Sequence, residues 1–394
     1  MIRAALLSFV AAAAIAAAPA DTPEAITAAR LKAFPMARAV EAVEAYTPAE
    51  AVPGTKASLR LAPAGARRAA ATALADADAY AEAQQSFAFL VMRDGRLLHE
   101  RYWQGFSAAS RFSTASMHKT VMALAYGPAI AAGHLRLDDP VGRHLPEWAA
   151  DARGRVTLRQ LLGMTSGLAA PPGPPGPTNL ATQLTLGPDI RTTALAFSAA
   201  DPPGREFAYA NVSSQLAGMA LDAATPGRYA EWLSGTIWRP IGAGEASLWL
   251  DRPGGTPHLF CCLQATPRDW LRVGELIRKR GRAGGRQVVP ADWIDAITSP
   301  SKLNPNFGMQ IWRGTPYAAE RRYARSIALT IKSSEPFARD DVLFIDGAGG
   351  QRVYVIPSEK LTIVRVGKPS PDWDDSRLPN LVLAALDEKR RPGR

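Results

Sequence analysis

In the stretch RFSTASMHKTVMALAYG, Arg111 to Gly127, Ser116 and Lys119 stand three apart at the start of an apolar run. On a helix that spacing puts both side chains on one face, within reach of each other. A serine hydroxyl is a feeble nucleophile unaided. A lysine whose ammonium is desolvated has a lowered pKa and can take the hydroxyl proton. The pattern alone is weak, because Ser299-Pro300-Ser301-Lys302 repeats it in a proline-containing stretch where no helix secures the neighbour relation. We read that second copy as chance.

Two further elements strengthen the first. Tyr209-Ala210-Asn211, in PPGREFAYANVSSQLAGMAL, is the only Tyr-x-Asn among nine tyrosines. Its bland reading is a buried tyrosine beside an Asn that caps a helix. Its functional reading is a phenol that shares a proton with the lysine and relays it to a leaving group, with Asn211 orienting the lysine or the substrate. The third element is DGAGGQRVYVIP, with Gly347, Gly349, Gly350 and Gln351. A glycine-dense bend leading into a strand lets substrate lie against backbone, and a strand N–H together with that of Ser116 forms an oxyanion hole. As pure structure it is a sheet edge with a bulge.

Competing chemistries find no residues. There is no Gly-x-Ser-x-Gly elbow and no His-Glu-x-x-His, and His99, His118, His134, His144 and His258 show no ligand spacing. His118 lies one residue off the nucleophile face and reads as structural. Cys261 and Cys262 are adjacent and poorly placed to bridge each other, so they read as packed thiols in a chain folding without disulfides. For Trp148, Trp249 and Trp312 a core role is preferred to a pocket wall.

The elements that must position these residues are legible around them. Two apolar runs, Phe87 to Met92 and Leu97 to Trp103, flank Asp94-Gly95, a tight hairpin signal. An apolar helix is expected from about Ser116 to Ala132, ended by Gly133, and VTLRQLLGMTSGL predicts a short helix ending near Gly167. The Pro- and Gly-rich loop Ala169 to Asn179 borders a substrate entrance in this reading. A surface helix is expected over Gln264 to Arg280. Strands follow at Phe307 to Trp312, Ser326 to Ile331, Val342 to Gly350, Arg352 to Pro357 and Leu361 to Gly367, then a closing helix Leu378 to Leu386. Strands early and late with helices between predict an α/β (α+β) chain: a sheet-containing domain from 21–115 and 256–394, a mainly helical domain from 116–255, and the site between them. Residues 21–80 carry no visible chemistry.

Residues 1–20 have the three parts of a secretory signal: Arg3, an apolar run Ala4 to Ala18, and Ala18-Pro19-Ala20. The mature chain is then expected to start near Asp21 and to be exported, periplasmic or secreted. An uncleaved segment would give peripheral membrane contact. The 394 residues are 47% hydrophobic and carry a formal charge of +10. The basic residues are scattered, and the densest run, Ile277 to Arg286, reads as a solvated helix end rather than a nucleic-acid surface. The partner expected is a small-molecule or peptide-like substrate.

Taken together, Ser116-Met117-His118-Lys119, Tyr209-Ala210-Asn211 and the region Gly347 to Gly350 resemble the three motifs of the serine β-lactamase and penicillin-binding-protein superfamily, in its class C and esterase-like branch. The stretches GHLRLDDPVGRHLPEW, TLRQLLGMTSGL, ATPRDWLRVGELI and GGQRVYVIPSEKLTIVRVG are similar to that family too, so the likeness runs from about Phe87 to Leu386. The resemblance implies a β-lactamase-like fold, an antiparallel sheet flanked by helices with an inserted helical domain. It also implies an acyl-enzyme mechanism needing no metal or organic cofactor. Ser116 would be the nucleophile, Lys119 its base, Tyr209 the proton relay and Asn211 the orienting amide. Members that act on β-lactams or D-Ala-D-Ala usually carry Lys-Thr-Gly or His-Thr-Gly as the third motif, whereas this chain has Ile345-Asp346-Gly347-Ala348-Gly349-Gly350. The cation for a substrate carboxylate is missing, Asp346 would oppose one, and Arg352 is the residue that would replace it if turned inward. The Gly-Gly-Gln-Arg form looks more like the esterase and 6-aminohexanoate-dimer hydrolase relatives. The expectation is therefore an esterase-like hydrolase. A D-Ala-D-Ala peptidase or β-lactamase is one alternative, and a non-catalytic penicillin-binding-like binding protein is another.

Overall fold

The computed structural model describes residues 22–171, 173–324 and 329–388. The expected signal segment 1–20 lies outside the described residues, and so do positions 326–328 of the expected strand Ser326 to Ile331.

Asp94 and Gly95 both take positive φ, 49° and 72°, the pairing a two-residue hairpin turn requires. They join strands Ser86–Arg93 and Arg96–Tyr102. This hairpin forms one side of a six-stranded antiparallel sheet. The order across it is Trp312–Arg313, Leu343–Gly347, Gln351–Ile356, Leu361–Gly367, Ser86–Arg93, Arg96–Tyr102. The central strands are apolar on both faces, and their alternation sorts the residues into two cores. Leu90, Met92, Val353, Val355, Val364 and Val366 join one, while Phe89, Val91, Tyr354, Ile356, Leu361 and Ile363 join the other. Sheets buried on both faces need helices on both sides.

Helix Pro267–Arg278 covers one face. It begins with a capping box between Thr266 and Asp269, and it approaches the sheet through Gly274. A Cβ there would come within 2.5 Å of Thr362 Cγ2 and 2.8 Å of Val353 Cγ1. Helices Ala75–Ala83 and Arg377–Glu388 supply the other face through Ala77, Ala81, Leu378, Val382 and Leu383. Helix His118–Ala131 is apolar all round and therefore central: Val121 to Tyr126 are each 0% exposed. Gly133, at φ 76°, closes it as expected.

Three details depart from the sequence reading. Ser116 precedes the α-helix, in a 3₁₀ turn Ala115–Met117, although the i,i+3 relation to Lys119 survives. Of the expected strand Phe307 to Trp312 only Trp312–Arg313 pairs with the sheet. The preceding residues fold back around Gln310 (φ 62°), whose amide donates to Leu162 O at 2.8 Å and accepts from Ser214 Oγ at 2.8 Å. The third departure is a correction: Cys261 and Cys262 are joined by a disulfide. The expectation of two packed thiols assumed ordinary backbone, but Cys262 sits at φ 71°, a left-handed conformation in which adjacent side chains can meet.

Candidate active site

The turn that carries Ser116 is set by its backbone. Ala115, immediately before Ser116, is held at φ 49°, where a residue with a Cβ is seldom found outside a constrained site. One helical step on, Lys119 points into the protein and is 2% exposed. Its Nζ lies 2.8 Å from Ser116 Oγ, 2.9 Å from Asn211 Oδ1 and 2.7 Å from the Phe260 carbonyl. The Tyr209 and Phe260 rings flank it, with centroids at 5.0 and 5.4 Å. Among the described residues Lys119 makes no ion pair. Burial therefore dominates and pushes its pKa down to about 7, with the Asp346 carboxylate pulling weakly the other way.

Asn211 opens helix Asn211–Ala224 but makes no capping bond. Its side chain goes to Lys119 instead, so the bland capping reading fails. Tyr209 is placed by backbone bonds on either side: its N–H donates to Tyr323 O at 2.8 Å, and Ala208 N–H donates to Met164 O at 2.9 Å. Its ring stacks on Trp312 (centroids 5.9 Å, 29°) and tilts against Tyr323 at 5.1 Å. Burial, reinforced by Asp346, raises the Tyr209 pKa well above 10, while a hydrogen bond with the Ser116 hydroxyl acts in the opposite direction. A lysine lowered to about 7 and a phenol that stays protonated thus converge on one serine hydroxyl.

Of the third-motif residues, Gly347 lies against the Ser116 turn. A Cβ on it would stand 2.2 Å from Thr114 O and 3.1 Å from Met117 Cγ, so only glycine lets the strand end come this close. Gly349 and Gly350, at φ 79° and 83°, make the turn that follows and pack on Pro369 and Trp373. Gln351 is fully buried, and its amide bonds both N–H and C=O of Gly367 at 2.9 and 2.8 Å. These three shape the bend behind the site.

Asp346 and Arg352 do not play the parts expected of them. Arg352 donates to Asp375 Oδ1 from Nε and Nη2 at 2.8 and 2.7 Å, and also to Asp346 and to Gly347 O. Arg321 donates to Asp346 Oδ2 at 3.0 Å and to Asp375 Oδ2 at 2.8 Å, and the Tyr323 hydroxyl donates to Asp346 Oδ2 at 2.6 Å. Two arginines and two aspartates neutralise one another. Asp346 therefore presents no bare charge to substrate, and Arg352 is not available as a substitute cation. Burial works against ionisation of Asp346, but Arg352 and Arg321 outweigh it and hold its pKa below the ordinary value.

The remaining expectations sort as follows. His118 is buried and bonded to Tyr229 OH at 2.9 Å and Cys261 O at 3.1 Å, and burial pushes its pKa down to about 4. Trp312 borders the site through Tyr209, whereas Trp249 stacks on His258 and Trp148 bonds Leu195 O. Ser299 Oγ donates to Asp295 O at the end of helix Ala291–Thr298. A cavity of about 860 Å³ opens elsewhere, beside the Asp94–Gly95 turn, with Arg60, Arg272, Glu275 and Lys279 in its wall. No group of three or more His, Cys, Asp or Glu among the described residues is placed to hold a metal. Sequence reasoning missed Phe260, whose contribution is a backbone carbonyl, and Arg321, Tyr323 and Asp375, which no spacing links to the motifs.

A protein-family model described as Beta-lactamase matches residues 72–386. The 6-aminohexanoate-dimer hydrolase of Paenarthrobacter ureafaciens is 26% identical over 243 residues, 58% of this chain and 61% of that protein, so the match spans less than two thirds of the relative's length. Among solved structures, a candidate 6-aminohexanoate-dimer hydrolase from Bacillus anthracis superposes with a TM-score of 0.72 at 20% identity, covering 91% of this chain and 95% of that one. EstCE1, a hydrolase with promiscuous acyltransferase activity, superposes at 0.59 and 16% identity, covering 82% of this chain and 100% of its own. The structural likenesses carry the fold: helices with antiparallel sheets, as the sequence led us to expect.

Proposed function

Since the chain belongs to the Beta-lactamase family, we propose that it is a serine hydrolase, opening esters or amides through an acyl-enzyme and esterase-like in its preference. The observation that carries this reading is the buried Lys119 amine, 2.8 Å from Ser116 Oγ and surrounded by neutral acceptors. The Ser116 hydroxyl gives its proton to neutral Lys119 as Oγ attacks the carbonyl carbon. The oxyanion forms against backbone N–H groups of Ser116 and the strand end at Gly347. Tyr209 passes a proton to the leaving group as the C–O or C–N bond breaks and is reprotonated from Lys119. Water then attacks the acyl group with its proton returning along the same path, and release of the carboxylic acid restores Ser116.

The esterase-like preference rests on charge. Arg321 and Arg352 are both engaged by Asp346 and Asp375, so a substrate carboxylate loses a charge-assisted contact of about 1.5–3 kcal/mol. An uncharged acyl ester loses nothing. The test is labelling with a fluorophosphonate followed by intact mass and peptide mapping. One adduct on Ser116 is expected, and an unmodified protein would point instead to a non-catalytic binding protein of the same fold.

A further inference from the structure

The carbonyl that receives Lys119 is followed directly by a covalent ring. The Cys261–Cys262 disulfide ties adjacent residues whose Cα atoms are 3.7 Å apart. Three consecutive residues here touch the nucleophile segment through backbone groups. The Phe260 carbonyl accepts from Lys119 Nζ at 2.7 Å, and the Cys261 carbonyl accepts from His118 Nδ1 at 3.1 Å. The Cys262 N–H donates to Ala115 O at 3.0 Å. Cys262 and Ala115 both hold left-handed φ, at 71° and 49°, which residues with a Cβ keep only where their surroundings over-determine the backbone.

This placement bears on the base. A neutral lysine amine has two N–H groups and one lone pair. Asn211 Oδ1 and the Phe260 carbonyl accept the two N–H groups, which leaves the lone pair for Ser116. Asn211 acts through a side chain at an exposed helix start, whereas the Phe260 carbonyl is joined by its own peptide bond to the first residue of the ring. If the carbonyl drifts, the amine can turn its lone pair away and water can reach it.

We propose that the Cys261–Cys262 disulfide is a positioning element for Lys119, and that its reduction by a dithiol lowers turnover. The proposal rests on the serine-hydrolase reading above. In the reduction the dithiol supplies two electrons and two protons. The Sγ–Sγ bond breaks, two cysteine thiols form, and the dithiol closes to its own disulfide. Cys261 and Cys262 are 5% and 7% exposed, so the thiol count reports whether the reagent reaches the bond.

The experiment counts thiols in the denatured, unreduced chain, then compares native enzyme before and after dithiothreitol treatment and anaerobic desalting. No thiol is expected before reduction and two after it. On p-nitrophenyl acetate, kcat should fall by roughly tenfold or more with KM within about twofold, since a displaced base loses rate rather than binding. The ascending pH limb should move to higher pH, and reoxidation should restore both. Cys261→Ser with Cys262→Ser should reproduce the reduced enzyme. If that variant does not fold, the reversible reduction decides; if the native bond resists the reagent, the variant decides. Two thiols in the untouched chain, or an unchanged kcat and pH limb without the disulfide, would overturn the proposal. Fluorophosphonate labelling of the oxidised enzyme separates the two ideas: labelled but redox-insensitive enzyme sinks only the disulfide's role, and an unlabelled parent sinks the hydrolase reading.

Discussion

At two places beside the candidate site this protein buries cations in opposite ways. Arg321 and Arg352 meet Asp346 and Asp375 in a closed, neutral set, and the carboxylates overcome the burial that would otherwise lower both arginine pKa values. Lys119 meets a hydroxyl, an amide oxygen and a carbonyl, none of them charged, and burial prevails. Being buried does not decide whether a cation can act as a base. The charge of its acceptors does, and Ser116 Oγ sits beside a cation left uncompensated that can yield its proton.

The largest effects should come from the uncompensated side. Ser116→Ala should abolish ester hydrolysis while leaving the melting temperature nearly unchanged, because little volume is lost. Lys119→Arg should cost roughly 10²–10⁴-fold in kcat, close to Lys119→Ala, because a guanidinium keeps the charge and cannot yield the proton. A Lys119→Arg enzyme with most of its activity would show that only charge is needed there.

Next comes the compensated side. Asp375→Asn leaves two buried arginines facing one carboxylate and should destabilise the fold by about 3–5 kcal/mol, read as a lowered denaturant midpoint. Unchanged stability would mean the set is not the closed unit described. Asp346→Asn tests the link between the regions: removing the carboxylate that opposes the effect of burial on Lys119 should move the ascending activity limb to lower pH, and a limb moving upward would contradict the assignment.

In the parent enzyme, activity should rise as Lys119 loses its proton through about 7 and hold until the Tyr209 phenol ionises, well above 10. The rate at pH 8 should exceed that at pH 6 by roughly tenfold. Stability follows the same group. The folded pKa lies below the unfolded one, so the unfolded chain binds more protons between about 7 and the ordinary lysine value of 10.5. Stability attributable to Lys119 is therefore lowest below 7 and recovers as pH rises through that window. Chemical denaturation at pH 6 and 9 of the parent against Lys119→Met isolates it; the advantage of the variant should shrink at the higher pH.

Substrate choice sharpens the contrast more gently. With both arginines engaged, a chromogenic cephalosporin should be turned over about ten- to a hundredfold less efficiently than a short ester, measured as kcat/KM. A cephalosporin rate equal to the ester rate would mean that a cation is free after all. The smallest effect is none: Ser299→Ala, at the chance copy of the motif, should leave the rate unchanged.

What the sequence revealed depends on how far each interaction reaches along the chain. The Asp94–Gly95 hairpin, the i,i+3 relation of Ser116 to Lys119 and the Tyr209–Asn211 pair are local, and each was legible. The partners of Asp346 and Arg352 were not, because Asp375 and Arg321 come from separate segments that only the folded sheet brings together. The Phe260 carbonyl left no trace, since every residue has one. The cysteine pair was misread because adjacency looks prohibitive until the left-handed backbone at Cys262 is known, and the turn at Phe307 to Gln310 was misread because an apolar run does not announce a fold-back.

The position of strand Ser86–Arg93 has a consequence for how the molecule comes into being. On one side it pairs with its hairpin partner Arg96–Tyr102, and on the other with Leu361–Gly367, far along the chain. This ladder therefore cannot close until Leu361–Gly367 has emerged from the ribosome. Until then the hairpin offers a long unpaired edge, and bringing the two ends together pays a large loop-closure entropy before any contact rewards it. An early stop codon just before Leu361 would leave not a shorter enzyme but an exposed strand edge prone to pairing with its neighbours.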